Sequence, residues 1–324
     1  MTGLRGILAC LLLAVWPAMA AAQETVRLAG VVSEARIAPL TAALAKRLPG
    51  IRLSYDRMSS AQIAAAARRT DGTPFDIALL ASPDIGVSIA NEGYAARDEA
   101  AGAAAMAQWR NEVFGFWSDP AVIVLRRGSF QERMPRTRIE LVRALEQSDG
   151  RFARRVGLVN IGIDDVGYLL ASQDSLRTSL YWRLIRAFAG AKARIFDTTD
   201  ELVEALHAGE LDILYNVPLS ALQAGPPLPD GMEVIVPQDY VLAVPWTVVV
   251  PERAPNPPGA RAVLHALLSP DSTPALADAG FELPAGFGGA VGLQRIELGP
   301  ELLVFRDTIK RSKFLDVWFQ MVVN

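Results

Sequence analysis

Two periods of apolar and polar residues alternate along the chain, and the places where the period changes mark its elements. Val26 to Val32 is an apolar run broken only by Arg27 and Gly30, which reads as a first strand ending at the polar pair Ser33-Glu34. Helical spacing follows at Ile37, Leu40, Leu44 and Leu48 and stops at Pro49-Gly50. Ile51 to Tyr55 alternates as a second strand, and Ser60, just beyond Ser59, is placed to cap the Ala-rich helix Ala61 to Arg68. Phe75 to Leu80 is a third strand, closed by Ala81-Ser82-Pro83-Asp84, a cluster that opens another helix. Strand, helix, strand, helix, strand within about 55 residues is the cadence of a parallel sheet.

The pattern recurs further on. Ala121 to Leu125 is a β-rich run able to cross between two lobes, and the basic stretch Arg126 to Arg138 reads as a solvated surface connection. After a helix carrying Ile139, Leu141, Val142 and Leu145, strand Val156 to Val159 gives way to Asn160-Ile-Gly-Ile-Asp-Asp-Val-Gly-Tyr168 and a helix through Leu170. Tyr181 to Ala189 is helical, Ile195-Phe196 is a short strand, and Thr198 or Thr199 caps a helix running to His207. Gly209 ends that helix as a left-handed residue. Leu211, Ile213 and Leu214 then form a short buried strand ending in Tyr215-Asn216, polar groups at a carboxyl end, where open α/β sheets bind ligands. Val234 to Val236, Tyr240 to Val250, a helix Ala260 to Leu268 and an amphipathic tail through Trp318 complete the series.

Composition narrows the address and the chemistry. The 324 residues, 51% hydrophobic, supply cores for one large or two medium domains. The near-balanced charge of -3 gives no footprint for nucleic acid. Arg5, the apolar run Ile7 to Trp16 and Ala18-Met19-Ala20 form a secretory signal, removed to leave a soluble periplasmic chain without stable membrane insertion. Cys10, the only cysteine, leaves with it, so neither disulfide nor thiol chemistry is expected. No G-x-S-x-G elbow, H-E-x-x-H, P-loop or dinucleotide fingerprint is present, which argues against an enzyme. No cofactor is expected. His207 and His265 fall on helices and read as surface or partly packed residues. Trp117, Trp246 and Trp318 read as core.

Several segments carry a resemblance: Ala38-Pro-Leu-Thr, Phe75-Asp-Ile-Ala, Asn91-Glu-Gly-Tyr94, Gly209-Glu-Leu-Asp with Tyr215-Asn216-Val217, and Ala254-Pro-Asn-Pro257 before Leu267-Leu268-Ser269-Pro270. Together they resemble type II periplasmic solute-binding proteins, in the group that includes ferric-ion-binding and phosphoglycerate-transport-regulatory proteins. The tail Leu298 to Phe305 with Phe314 to Trp318 is similar to a subgroup often encoded beside a sensor histidine kinase. The resemblance implies an α/β, bilobed periplasmic-binding-protein type II fold, two αβ lobes joined by strand crossovers. Residues 1–22 would be the signal peptide, 23–122 with 236–324 the first lobe, and 123–235 the second. A monomer would close on a small polar or anionic solute and deliver it to an ABC permease, or present its closed form to a sensor histidine kinase ectodomain.

Carried over by position, the first lobe would offer Ser33, Glu34, Ser59, Ser60, Ala81 and Ser82 to the ligand. The second would offer Asn160, Gly162 to Asp165, Tyr215 and Asn216. Helix starts near Ser60, Ser82 and Asp165 present backbone N–H donors to an anion, whereas Asp164 and Asp165 suit a cation or simply cap their helix. Ferric-binding relatives use adjacent tyrosines; Tyr215-Asn216 departs from that pattern, leaving iron as one candidate ligand among several and no metal site assigned.

Overall fold

The computed structural model describes residues 24–130, 133–281, 283, 287 and 292–323; the expected signal segment 1–22, with Cys10, lies outside them. Eleven strands among the described residues follow the chain: β1 (Glu24–Gly30), β2 (Ile51–Arg57), β3 (Ile77–Leu80), β4 (Ala107–Trp109), β5 (Val113–Arg126), β6 (Val156–Val159), β7 (Arg194–Phe196), β8 (Ile213–Pro218), β9 (Met232–Ile235), β10 (Val241–Val249) and β11 (Leu293–Arg295). Their order is β2-β1-β3-β10-β5-β8-β6-β7. The β1 pairings with β2 and β3 are parallel, as are those of β6 with β7 and β8. Strand β10 runs antiparallel between β3 and β5.

β5 divides the molecule. Its first half, Phe114 to Pro120, pairs with β10, and its second half, from Ala121, pairs with β8 and β9. One 14-residue strand thus serves two sheets, and each sheet with its helices forms a lobe. The segment between β9 and β10 makes a second passage between the lobes.

Core positions explain why the strands read as nearly continuous apolar runs. In β3, Ile77 and Leu79 join the core containing Leu40 and Leu264, while Ala78 and Leu80 join the one containing Ile63 and Phe75. Successive side chains point to opposite faces, and helices cover both. β5 and β8 do the same in the second lobe: Ile123, Leu125, Ile213 and Tyr215 face one core, Val122, Val124, Leu214 and Val217 the other.

Local termini largely follow the sequence, with three differences. Gly209 ends its helix at φ +73°, and Thr198 caps Thr199–His207 by accepting from Glu201 N at 3.1 Å. The helix expected from Ala61 is capped instead by Ser59, which exchanges hydrogen bonds with Gln62 in a capping box; Ser60 is the first helical residue. Arg138, read as part of a solvated connection, is fully buried at the start of Arg138–Glu146. The final helix Thr308–Val323, expected with the first lobe, places Trp318 and Val322 in the second-lobe core.

Candidate functional site

The facing surfaces of the lobes enclose two cavities of about 480 Å³ each, on either side of an ion pair between Arg57 at the end of β2 and Asp200 in the second lobe (3.8 Å). Ser59, Ser60 and Ala81 wall the first cavity from one lobe; Asp164, Asp165 and Thr198 to Asp200 wall it from the other. The second cavity lies between Ser33, Arg36 and Arg57 and the helical residues Asp200, Glu204 and His207. Both fall within the range of small-molecule sites. Direct contacts join the lobes nearby: the buried Ser82 Oγ lies 3.4 Å from the Asp165 carbonyl oxygen. Burial pushes the Asp165 carboxyl up, and the negative charge of Asp84 adds to that; Arg306, paired with Asp84 at 2.8 Å, opposes it.

Near the crossover, Arg36 stands on the first turn of the helix Glu34–Arg47, its guanidinium carbon 5.0 Å from the Phe281 ring centre and 5.7 Å from that of Trp246. Its Nε and Nη2 are shut off from solvent without a hydrogen-bond partner among the described residues. Burial lowers its pKa, opposed by the charges of Asp119 and Asp200. The Asp119 carboxylate is itself committed, accepting from Ser220 N (3.1 Å), Ser220 Oγ (2.5 Å) and Trp246 Nε1 (3.3 Å). Burial nevertheless holds its pKa up at about 6.

Tyr215 is in neither cavity. Strand β8 continues past it to Pro218, and a register break between Val122 and Val124 accommodates Asn216 at φ +52°. Such a bulge re-aims the side chains around it. Val217 consequently falls on the face of Leu214, while Tyr215 keeps the inward face of Ile213 by ordinary alternation, packs on Phe188 at 5.2 Å and is 6% exposed. Its hydroxyl donates to Asp174 Oδ2 (2.5 Å) and accepts from Arg138 Nε (2.7 Å). Asp174 also accepts from Asn216 Nδ2 (3.0 Å) and from the Tyr240 hydroxyl, while Arg138 Nη1 reaches Asp239 (3.0 Å) and the Tyr240 carbonyl oxygen (2.8 Å). This buried network ties the second lobe to the segment returning to the first.

Against known proteins, residues 28–282 match the family model described as bacterial extracellular solute-binding protein. The chain belongs to that family. A crystal structure of the substrate-binding protein of an ABC transporter from Agrobacterium tumefaciens is 26% identical with a TM-score of 0.80, covering 93% of this chain and 95% of that one. Iron-bound HitA from Pseudomonas aeruginosa (15% identity, TM-score 0.68, 92% and 99% covered) shares the fold. So does AfuA from Actinobacillus pleuropneumoniae with fructose-6-phosphate bound (10% identity, TM-score 0.70, 93% and 99% covered). No curated protein matches the chain. The bilobed type II periplasmic-binding fold expected from the resemblance is the one observed.

Within this solute-binding protein the carried-over residues separate into groups. Ser59, Ser60, Ala81 and Asp165 meet around one cavity, and Ser33 lines its neighbour. Ser82 is wholly buried at the lobe contact, its Oγ donating to Asp84 (2.5 Å). Glu34 is exposed. Asn160 and Gly162 are built into their own loop: Asn160 donates to Asp197 (2.8 Å) and accepts from Gly162 N (3.0 Å), and Arg311 of the tail donates to the Gly162 carbonyl oxygen (3.2 Å). Asp164 caps its helix, accepting from Gly167 N at 2.7 Å. The Asp174 carboxylate takes the Tyr215 hydroxyl and Asn216 Nδ2 inside the lobe, while Asn216 Oδ1 is buried without a partner among the described residues. His207, expected away from the ligand loops, lines the second cavity, whereas His265 pairs with Asp98 at the surface (2.8 Å). Sequence reading missed Arg36, Arg57 and Asp119. Arg36 follows the named Ser33-Glu34 pair and precedes the buried Ile37, so the helix turn brings it, not Glu34, towards the cavity.

Proposed function

We propose that the protein, exported by its N-terminal signal to the periplasm, closes its lobes on a small polar solute and hands it to an ABC-type permease. The observation that carries this reading is the pair of cavities walled from both lobes, each with serine, arginine and acidic side chains in its lining, beside the strand that joins the lobes. A hinge there lets bound solute shift an open–closed equilibrium by its differential affinity for the two forms. Family membership and the ABC-transporter relative support binding and delivery over catalysis. Iron is not favoured, because the Tyr215 hydroxyl is taken by Arg138 and Asp174, and no group of three or more His, Cys, Asp or Glu gathers for a metal among the described residues.

The test is a thermal-shift screen of the chain from residue 24 against pools of metals, carboxylates, phosphoesters, sugars and polyamines. A ligand at a hundred times its Kd stabilises by about 2.7 kcal/mol and raises the midpoint measurably. Silence across every pool, with stabilisation by a sensor-kinase ectodomain alone, would replace solute delivery by a signalling role. Stimulation of permease ATPase activity by the liganded protein, absent with the unliganded form, is the expected result for delivery.

A further inference from the structure

We propose that the solute carries a carboxylate and that the Nε–Nη2 edge of Arg36 receives it. The inference rests on the solute-binding reading and adds the chemistry of the ligand. Three other arginines show what this edge does when an acceptor is available. Arg68 grips Glu92 through Nε and Nη2 at 2.6 Å each, Arg69 grips Asp71 at 3.0 and 2.7 Å, and Arg183 grips Glu146 at 2.9 and 2.6 Å. Each is the two-pronged pairing that matches a planar guanidinium to a planar carboxylate. In Arg36 the same two nitrogens are withdrawn from water and bonded to no acceptor among the described residues.

The surroundings of Arg36 fix the side chain without satisfying it. Trp246 and Phe281 lie against the guanidinium and attract its charge through their π faces. Asp119, whose charge acts on Arg36, has its oxygens engaged by Ser220 and Trp246. A guanidinium edge desolvated without an acceptor destabilises the unliganded chain, and an oxyanion brought by the solute removes that penalty.

The cavity that Arg36 lines also gives the rest of the solute a direction. Arg36 and Arg57 make its first-lobe wall positive, and Asp200 and Glu204 make the opposite wall negative. A solute with its carboxylate at Arg36 therefore directs a neutral or cationic end at the second lobe, while the far carboxylate of a di-acid would face Asp200 and Glu204. Monocarboxylates and amino-acid zwitterions are the ligand class this polarity selects.

The experiment is calorimetric titration of the chain from residue 24 with four pools: amino acids and monocarboxylates, short di-acids, inorganic phosphate with sugar phosphates, and neutral sugars. Binding from the first pool is expected, with Arg36→Lys, which keeps the charge but loses the fork, weakening it at least tenfold. Binding of di-acids alone, sensitive to Arg36→Lys, would overturn the polarity while keeping Arg36 as receptor. Binding from only the phosphate or sugar pools, or carboxylate binding indifferent to Arg36→Lys, overturns the Arg36 assignment and leaves solute binding intact. No binding from any pool overturns both. Should Arg36→Lys fail to fold, the Nε–H resonance of Arg36 in the unmodified chain gives the answer: it moves on titration with the bound carboxylate, or the assignment is wrong.

Discussion

Two arginines are drawn out of water in this protein, and they are treated differently. Arg138, in the second lobe, donates through Nε and Nη1 to Tyr215, Asp239 and the Tyr240 carbonyl oxygen and lies 3.4 Å from the Asp174 carboxylate; only its Nη2 lacks a partner. Arg36, at the lobe boundary, has rings against it and no acceptor on its fork edge among the described residues. The first arginine is built into the protein as a lock; the second is the one proposed to receive the solute. Arg138 is buried throughout and Arg36 only in part, yet both have nitrogens shut off from water, and that alone does not separate the two roles. The completeness of the hydrogen bonding does.

The strongest way to break the contrast is Asp174→Ala. It leaves Arg138 buried without its main counter-charge and should cost about 3–5 kcal/mol in denaturant unfolding. A loss below about 1 kcal/mol would mean that the network is not a lock. Asp119→Asn acts on the other side of the comparison. The folded-state pKa of Asp119 is raised to about 6 from an ordinary 3.8, so the native chain holds this proton more tightly than the unfolded one. The resulting stability is fully present below pH 3.8, declines as pH rises to about 6 and is lost above it, a span worth at most about 3 kcal/mol. Asparagine should flatten that slope in melts taken between those pH values.

Tyr215→Phe should lower stability by about 1–2 kcal/mol, since Asp174 loses a buried donor. Solute affinity should stay within about twofold, the opposite of what a ligand-facing tyrosine requires; a tenfold loss would return Tyr215 to the site. Arg36→Met is the smallest effect on the fold. It removes an uncompensated cation while keeping an apolar stem against Trp246 and Phe281, so stability should hold or rise by up to about 1 kcal/mol while carboxylate binding disappears. A large destabilisation would make Arg36 a second lock and erase the contrast.

The fold was legible where neighbours in sequence decide the outcome. The alternating cores of β3, the left-handed Gly209 and the Thr198 cap all depend on residues within a few positions of one another. The site was legible only in outline. Ser59, Ser60, Ala81 and Asp165 do meet around a cavity, because strand ends and helix starts in parallel sheets converge on one edge. Tyr215 points into the second-lobe core because ordinary strand alternation sets it on the face of Ile213, and the groups that take its hydroxyl, Arg138 and Asp174, lie 77 and 41 residues away in sequence. Arg138 was misread because a run of arginines looks solvated until its one inward member finds partners 77 and 101 residues away.

Hydrophobic period and turn residues, then, determined the elements and the two αβ cadences, since each is written in short-range spacing. Only the tertiary structure decided which polar groups are satisfied and which are left open. Hydrogen-bond completeness is a property of distant segments brought into contact, and no local pattern records it. The stretch from Gly209 to Pro218 shows both sides: its strand was readable from period and glycine alone, while the burial of its tyrosine depended on Arg138 and Asp174.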